Sequence, residues 1–169
     1  MYKNKGFTLS ELMAVVVIVA ILASVAVGSY RGAIERSHMT EAYNVGSAVL
    51  EAVNRYYYDN RYEAAASRCR PKFTDLDTKI NKEAACDTAS EYCRKTRYFK
   101  IEIPQVSGDA CNNAEVRATR LNNKYALVFY PDFSTTRSAE KCVYGDNAAG
   151  QNICQSAGYK NCSSGTCTK

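Results

Sequence analysis

Residues 3–27 read KNKGFTLSELMAVVVIVAILASVAV, and this stretch decides how the chain is organised. From Leu12 to Tyr30 there are nineteen residues without a charge, and Leu12 to Val27 is nearly all apolar. That approaches the ~20 residues an α-helix needs to span a bilayer. One acid, Glu11, stands just ahead of the run. A carboxylate deep in a membrane helix costs about 3 kcal/mol on insertion scales, less near the interface, and such residues are retained for a function with a partner.

Outside this segment the composition is ordinary. The chain has 169 residues, enough for one domain plus a membrane or targeting segment. After Tyr30 it is rich in Tyr, Lys, Arg, Asn and Ser. The net charge is +5; without Lys3 and Lys5 it would be 20 basic against 17 acidic residues, or +3. That balance is too mild to imply a nucleic-acid partner. All eight cysteines lie beyond residue 68: Cys69, Cys86, Cys93, Cys111, Cys142, Cys154, Cys162 and Cys167. An even set downstream of a membrane-type segment reads as a disulfide framework in an oxidising compartment. A zinc site would need close pairs such as C-x-x-C, and the sequence has none. Eight cysteines allow 105 connectivities. Cys142–Cys154 and Cys162–Cys167 are the nearest-neighbour closures. Cys86 and Cys93 would be ~10 Å apart on a straight helix, too far to bridge. Either that segment is not one helix or those two have other partners.

Three readings compete for the N-terminus. A secretory signal peptide would use Ser24-Val25-Ala26 as its cleavage site. A plain anchor would need only the apolar run. Neither gives Glu11 a role. The third reading rests on GFTLSEL, Gly6 to Leu12, which resembles the processing site of type IV prepilins and of the pseudopilins of secretion systems. Those proteins have a short basic leader ending in glycine, then a hydrophobic residue, usually Phe, and a Glu four residues on. Here these are Met1 to Gly6, Phe7 and Glu11. The resemblance continues through ELMAVVVIVAILASVAVGSYRGAIERSHMTEA. It implies cleavage after Gly6 by a membrane-embedded prepilin peptidase, whose methyltransferase activity then methylates the Phe7 amine. It implies that Glu11 pairs with a neighbour's N-terminal ammonium, an attraction strengthened in an apolar filament core. It further implies self-assembly, residence in the inner membrane beforehand, and an assembly platform driven by a cytoplasmic ATPase. Many family members carry a proline where this chain has Gly28, a residue that weakens a helix by ~1 kcal/mol without a forced kink.

Beyond Tyr30 the helical pattern continues. Ile34, His38, Ala42, Val45, Val49, Ala52, Val53 and Tyr56 recur at steps of three and four, so they share one face. The spacing predicts one helix from about Phe7 to about Tyr58, stopped at Asp59-Asn60. Residues 59–96 read as a loop with one or two short helices. Arg97–Pro104 alternates like a strand, Asn113–Leu121 is a weaker strand, and Lys124–Pro131 is the strongest; Asn122-Asn123 makes the last two a hairpin. Lys141–Gly145 reads as an edge strand, and Asp146–Lys169 as a loop ordered by its disulfides.

Other constellations lead nowhere catalytic. His38 is the only histidine, with no nucleophile set around it. Asp75, Asp77, Asp146 and Asn147 lack the spaced oxygens of a calcium loop and read as surface turns. Tyr56, Tyr57, Tyr58 and Tyr62 read as packing. The basic groups Arg68, Arg70, Lys72 and Arg94, Lys95, Arg97 read as solvated faces, leaving nucleic acid unsupported. The expectation is an α+β chain with no cofactor, metal or enzymatic activity. Its parts are a leader over 1–6, a membrane and filament-core helix over 7–30, an amphipathic continuation over 31–58 and a head over 59–169. The resemblance implies a pilus subunit serving adhesion, motility or DNA uptake. The alternatives are a type II secretion pseudopilin and a secreted or anchored disulfide-rich binding domain.

Overall fold

The computed structural model describes residues 6–80, 84–86, 90–105, 111–135 and 140–169. The chain divides into two compact units, Met1–Glu35 and Arg36–Lys169. The elements are helices α1 (Leu9–Asp59), α2 (Ala65–Arg68) and α3 (Ala148–Ser156), with strands β1 (Ala84–Ala85), β2 (Cys93–Lys95), β3 (Phe99–Glu102), β4 (Val116–Arg120), β5 (Ala126–Phe129), β6 (Lys141–Val143), β7 (Asn161–Ser163) and β8 (Thr166–Thr168). The architecture is α+β, as expected.

In the second unit, α1 buries Met39, Ala42, Val49, Ala52 and Val53, at the helical spacing read from the sequence. The helix ends at Asp59, where the Asn60 backbone N–H and side-chain amide both donate to the Tyr56 carbonyl. Two buried positions, Met39 and Gly46, were not in the stripe read from the sequence, and its first member, Ile34, is exposed. A Cβ placed on Gly46 would stand 2.3 Å from Phe129 of β5, so glycine lets the helix and sheet approach closely.

The sheet is antiparallel, with order β1-β2-β3-β4-β5-β6-β8-β7. One row crosses most of it: Ile101 lies opposite Ala118, which lies opposite Leu127, then Cys142, Cys167 and Cys162. Directly opposed residues share a face, and all but Cys162 are buried, in one cluster with the α1 residues. The predicted β4–β5 hairpin is present, with Asn123 at positive φ in its turn.

Three expectations need correction. Lys141–Gly145 is not an edge strand: β6 pairs with β5 on one side and β8 on the other. The tail is not a loop. Asn147 caps α3, its side-chain oxygen accepting from the backbone N–H groups of Ala149 and Gly150, and β7–β8 form a hairpin. Its turn residues Ser164 and Gly165 both have positive φ, as a two-residue turn of this hand requires. Among the described residues of 59–96 there is one short helix, α2, and two strands, β1 and β2.

The four disulfides are Cys69–Cys111, Cys86–Cys93, Cys142–Cys154 and Cys162–Cys167. The Cys86–Cys93 pairing resolves the spacing problem. Strands β1 and β2 run antiparallel, bringing the two Cα atoms to 5.8 Å.

Candidate processing and assembly site

The first unit presents Gly6, Phe7 and Glu11 at the mouth of α1. Thr8 sits just ahead of the first helical residue. Its backbone N–H donates to Glu11 Oε2 at 2.8 Å and its hydroxyl to the same oxygen at 2.7 Å. In return the Glu11 N–H donates to Thr8 Oγ1 at 3.3 Å. This reciprocal pair is a capping box, which satisfies N–H groups that a helix start leaves without partners. Reading the sequence for Glu11 alone missed it. The signal was Thr8-Leu9-Ser10-Glu11, a T-x-x-E spacing directly before an apolar run.

Among the described residues nothing crowds Gly6. A Cβ built there meets nothing within 4 Å, and its backbone is not in the left-handed region. Phe7 is 87% exposed. The scissile position predicted from the sequence is therefore open on the side of its glycine. Past Glu11 the apolar side chains, including Val16, Ile18, Leu22 and Val25, are exposed all round. Two hydroxyls of this helix are locally satisfied: Ser10 bonds Thr8, and Ser24 donates to the Ile21 carbonyl at 2.7 Å. That is what an apolar surrounding demands of a hydroxyl. Among the described residues, α1 is the one helix long and apolar enough to cross a membrane.

Comparison with known proteins bears on this same segment. Residues 1–27 match the model of the prokaryotic N-terminal methylation motif. The N-terminal segment of the chain is thus similar to that of type IV pilins. Fimbrial protein EcpC of Eikenella corrodens is 47% identical over 56 residues, 33% of this chain and 37% of the relative. The type IV major alpha-pilin of Moraxella bovis is 29% identical over 124 residues, 73% of this chain and 72% of the relative. The type IV major pilin protein PilE1 of Neisseria gonorrhoeae is 43% identical over 57 residues, 34% of each chain. For the Eikenella and Neisseria pilins the match thus spans about a third of the relative's length. No solved structure matches the chain.

The second unit absorbs the other residues singled out from the sequence. His38 packs on Tyr98, with ring centroids 3.9 Å apart. Tyr57 stacks on Phe133 at 3.9 Å, and Tyr56 donates to Glu63; Tyr58 and Tyr62 stay exposed. The two basic groups are dispersed by the fold. Arg68 lies over Tyr57, Arg70 over Tyr92 while donating to the Ile103 carbonyl, and Lys72 pairs with Glu91 at 2.8 Å. Arg94 lies over Phe73 and Arg97 over Tyr98. Asp77 receives both Arg55 nitrogens, at 2.9 and 2.8 Å. That bidentate bond holds the Asp77 carboxyl below its ordinary range and raises the Arg55 guanidinium. Asp75 bonds Lys72 and Thr74, and Asn147 caps α3, so both work as turn residues. Among the described residues no group of three His, Cys, Asp or Glu side chains could hold a metal.

Proposed function

We propose that this chain is a structural subunit of a type IV pilus-like filament. In this reading Met1–Gly6 is a leader, cleaved between Gly6 and Phe7 by a prepilin peptidase that also methylates the new amine. Residues 7–30 then hold the subunit in the inner membrane and later form the filament core. Residues 31–58 continue as the amphipathic helix, and 59–169 form the exposed head. An inner-membrane platform with a cytoplasmic ATPase extracts the subunit and adds it to copies of itself. The filament then works at the cell surface in adhesion, motility or DNA uptake. The chain contributes shape and contacts, and no catalysis.

The observation that carries this reading is the pairing of a locally unneeded glycine with an all-round apolar helix. Among the described residues nothing stands within 4 Å of a Cβ added at position 6. A requirement from outside, the close backbone approach of a peptidase, accounts for it. An apolar helix with no buried side needs an apolar surrounding, which lipid supplies first and neighbouring helices supply afterwards. The named relatives are fimbrial and pilin proteins, which favours a pilus over a secretion pseudopilus.

Glu11 has two candidate roles here, the helix cap and a latch to a neighbour's ammonium. Glu11→Gln separates them, because glutamine serves in a capping box but carries no charge. The expected result is a chain that is cleaved and membrane-inserted like the wild type but absent from sheared filaments. Normal filament incorporation of Glu11→Gln would leave only the cap. The processing claim is checked by N-terminal sequencing and intact mass of the purified chain. A start at Phe7 with one added methyl is expected; a start at Met1 or beyond Ala26 would remove the pilin reading.

A further inference from the structure

Three cysteines from two different bridges stand in one row of the sheet. Cys167 on β8 is opposite Cys162 of β7 on one side and opposite Cys142 of β6 on the other. Opposed residues in antiparallel strands have Cα atoms ~4.5–5.5 Å apart, within the ~4.4–6.8 Å that a disulfide spans. Cys167 is bonded to Cys162, and Cys142 to Cys154 of α3. So the register sets a second cysteine opposite Cys167 on the same face, at a Cα spacing that a disulfide can span. Cys142, Cys154 and Cys167 are fully buried, whereas Cys162 is partly exposed between exposed Asn161 and Ser163. Access for a reagent is thus confined to one end of the row.

We propose that the two bridges form a coupled exchange site, in which reduction of the outer bond by an external thiol passes inward and leaves Cys142–Cys167 as the surviving disulfide. An external thiolate attacks Cys162 Sγ; the Cys162–Cys167 bond breaks and Cys167 leaves as a thiolate. That thiolate attacks Cys142 Sγ, a Cys142–Cys167 bond forms, and Cys154 takes the electron pair and then a proton from solvent. A second external thiol resolves the mixed disulfide at Cys162. Two external thiols become one disulfide, and one protein disulfide becomes the thiols of Cys154 and Cys162. The structural consequence falls on β7, the outermost strand. Its covalent tie to β8 is lost while β8 becomes tied to β6, so an edge able to pair with another strand comes under thiol control.

The test uses the full chain in detergent, treated with limiting dithiothreitol under non-denaturing conditions, quenched in acid, alkylated and peptide-mapped. Among species that have lost one of these two bridges, the expected result is alkylated Cys154 and Cys162 with a Cys142–Cys167 cross-linked peptide. Alkylated Cys162 and Cys167 with Cys142–Cys154 intact would overturn the proposal. A second variant tests the same contact without a reductant. Cys154→Ser leaves Cys142 unpaired, and the proposal expects both Cys142–Cys167 and Cys162–Cys167 linkages in the purified chain. A single Cys162–Cys167 species would count against it.

Discussion

The helix α1 obeys two rules along its length. Over residues 9–34 valine, isoleucine and leucine cover every side and stay exposed, Ile18 at 58% and Val25 at 71%. Over residues 39–53 the apolar side chains return every third or fourth position and are buried, Val49 completely. Periodicity is the difference. An amphipathic stripe finds a sheet to cover it within the same chain. A helix apolar on all sides has no polar face to leave in water, and its favourable surroundings are lipid or other apolar helices. The same residue types thus serve folding in one stretch and location in the other.

The strongest way to break this comparison is to place one substitution in each stretch. Val49→Asp puts a charge into the closed core and should cost the head about 3–5 kcal/mol, read as a lowered urea midpoint. Val16→Asp should leave that midpoint unchanged. Its cost, about 3 kcal/mol of insertion, should appear as loss of chain from washed membranes. If Val16→Asp unfolds the head, the division of labour is wrong.

Glycines sharpen the same contrast at smaller amplitude. Gly28 and Gly32 have nothing within 4 Å of an added Cβ, so alanine there should strengthen the helix by up to about 1 kcal/mol. Gly46→Ala should instead cost about 1–3 kcal/mol by overpacking against Phe129. Gly150→Ala meets the Lys124 carbonyl oxygen at 2.1 Å, a backbone atom that cannot rotate aside, and should cost more than Gly46→Ala. Thermal unfolding of the four variants under one condition ranks them.

The smallest effect belongs to the exposed Arg55–Asp77 pair. Because Asp77 titrates below the ordinary aspartate value of ~4 in the folded chain, its contribution is present above that value and is lost as the pH falls through the lower folded value. The stability gap between wild type and Asp77→Asn should therefore be open at neutral pH and close in acid. Urea midpoints at several pH values check this, and an equal gap at every pH would mean that the pair is not the source.

Some of this was legible in the residues and some was not. The apolar run, the helical stripe from Ala42 to Val53 and the alternation of Phe99, Ile101 and Ile103 are near-neighbour patterns, and each was read at close to its observed place, although the stripe was begun too early at the exposed Ile34 and left out the buried Met39. The short Gly/Ser/Asn-rich tail hid α3 and a hairpin. Three-residue strands such as β7 and β8 carry too little alternation to stand out. Residues 84–95 hid β1 and β2 for the same reason. At the candidate site, Gly6, Phe7 and Glu11 were singled out by a motif. The bond that Glu11 makes to Thr8 needed the capping spacing to be read as well.

What the sequence by itself determined is local: where the chain is helical, which stretch shuns water, and that eight cysteines form a framework. Spacing along the chain carries those facts, because helix and strand periods are properties of near neighbours. What only the tertiary structure decided is which distant residues meet. It inserted β8 between β6 and β7, set Cys142, Cys167 and Cys162 in one row, and dispersed the two basic clusters among Tyr57, Tyr92, Glu91, Phe73 and Tyr98. Those outcomes depend on strand order and register, which are settled by burial of the whole sheet against α1 and not by any short stretch of residues.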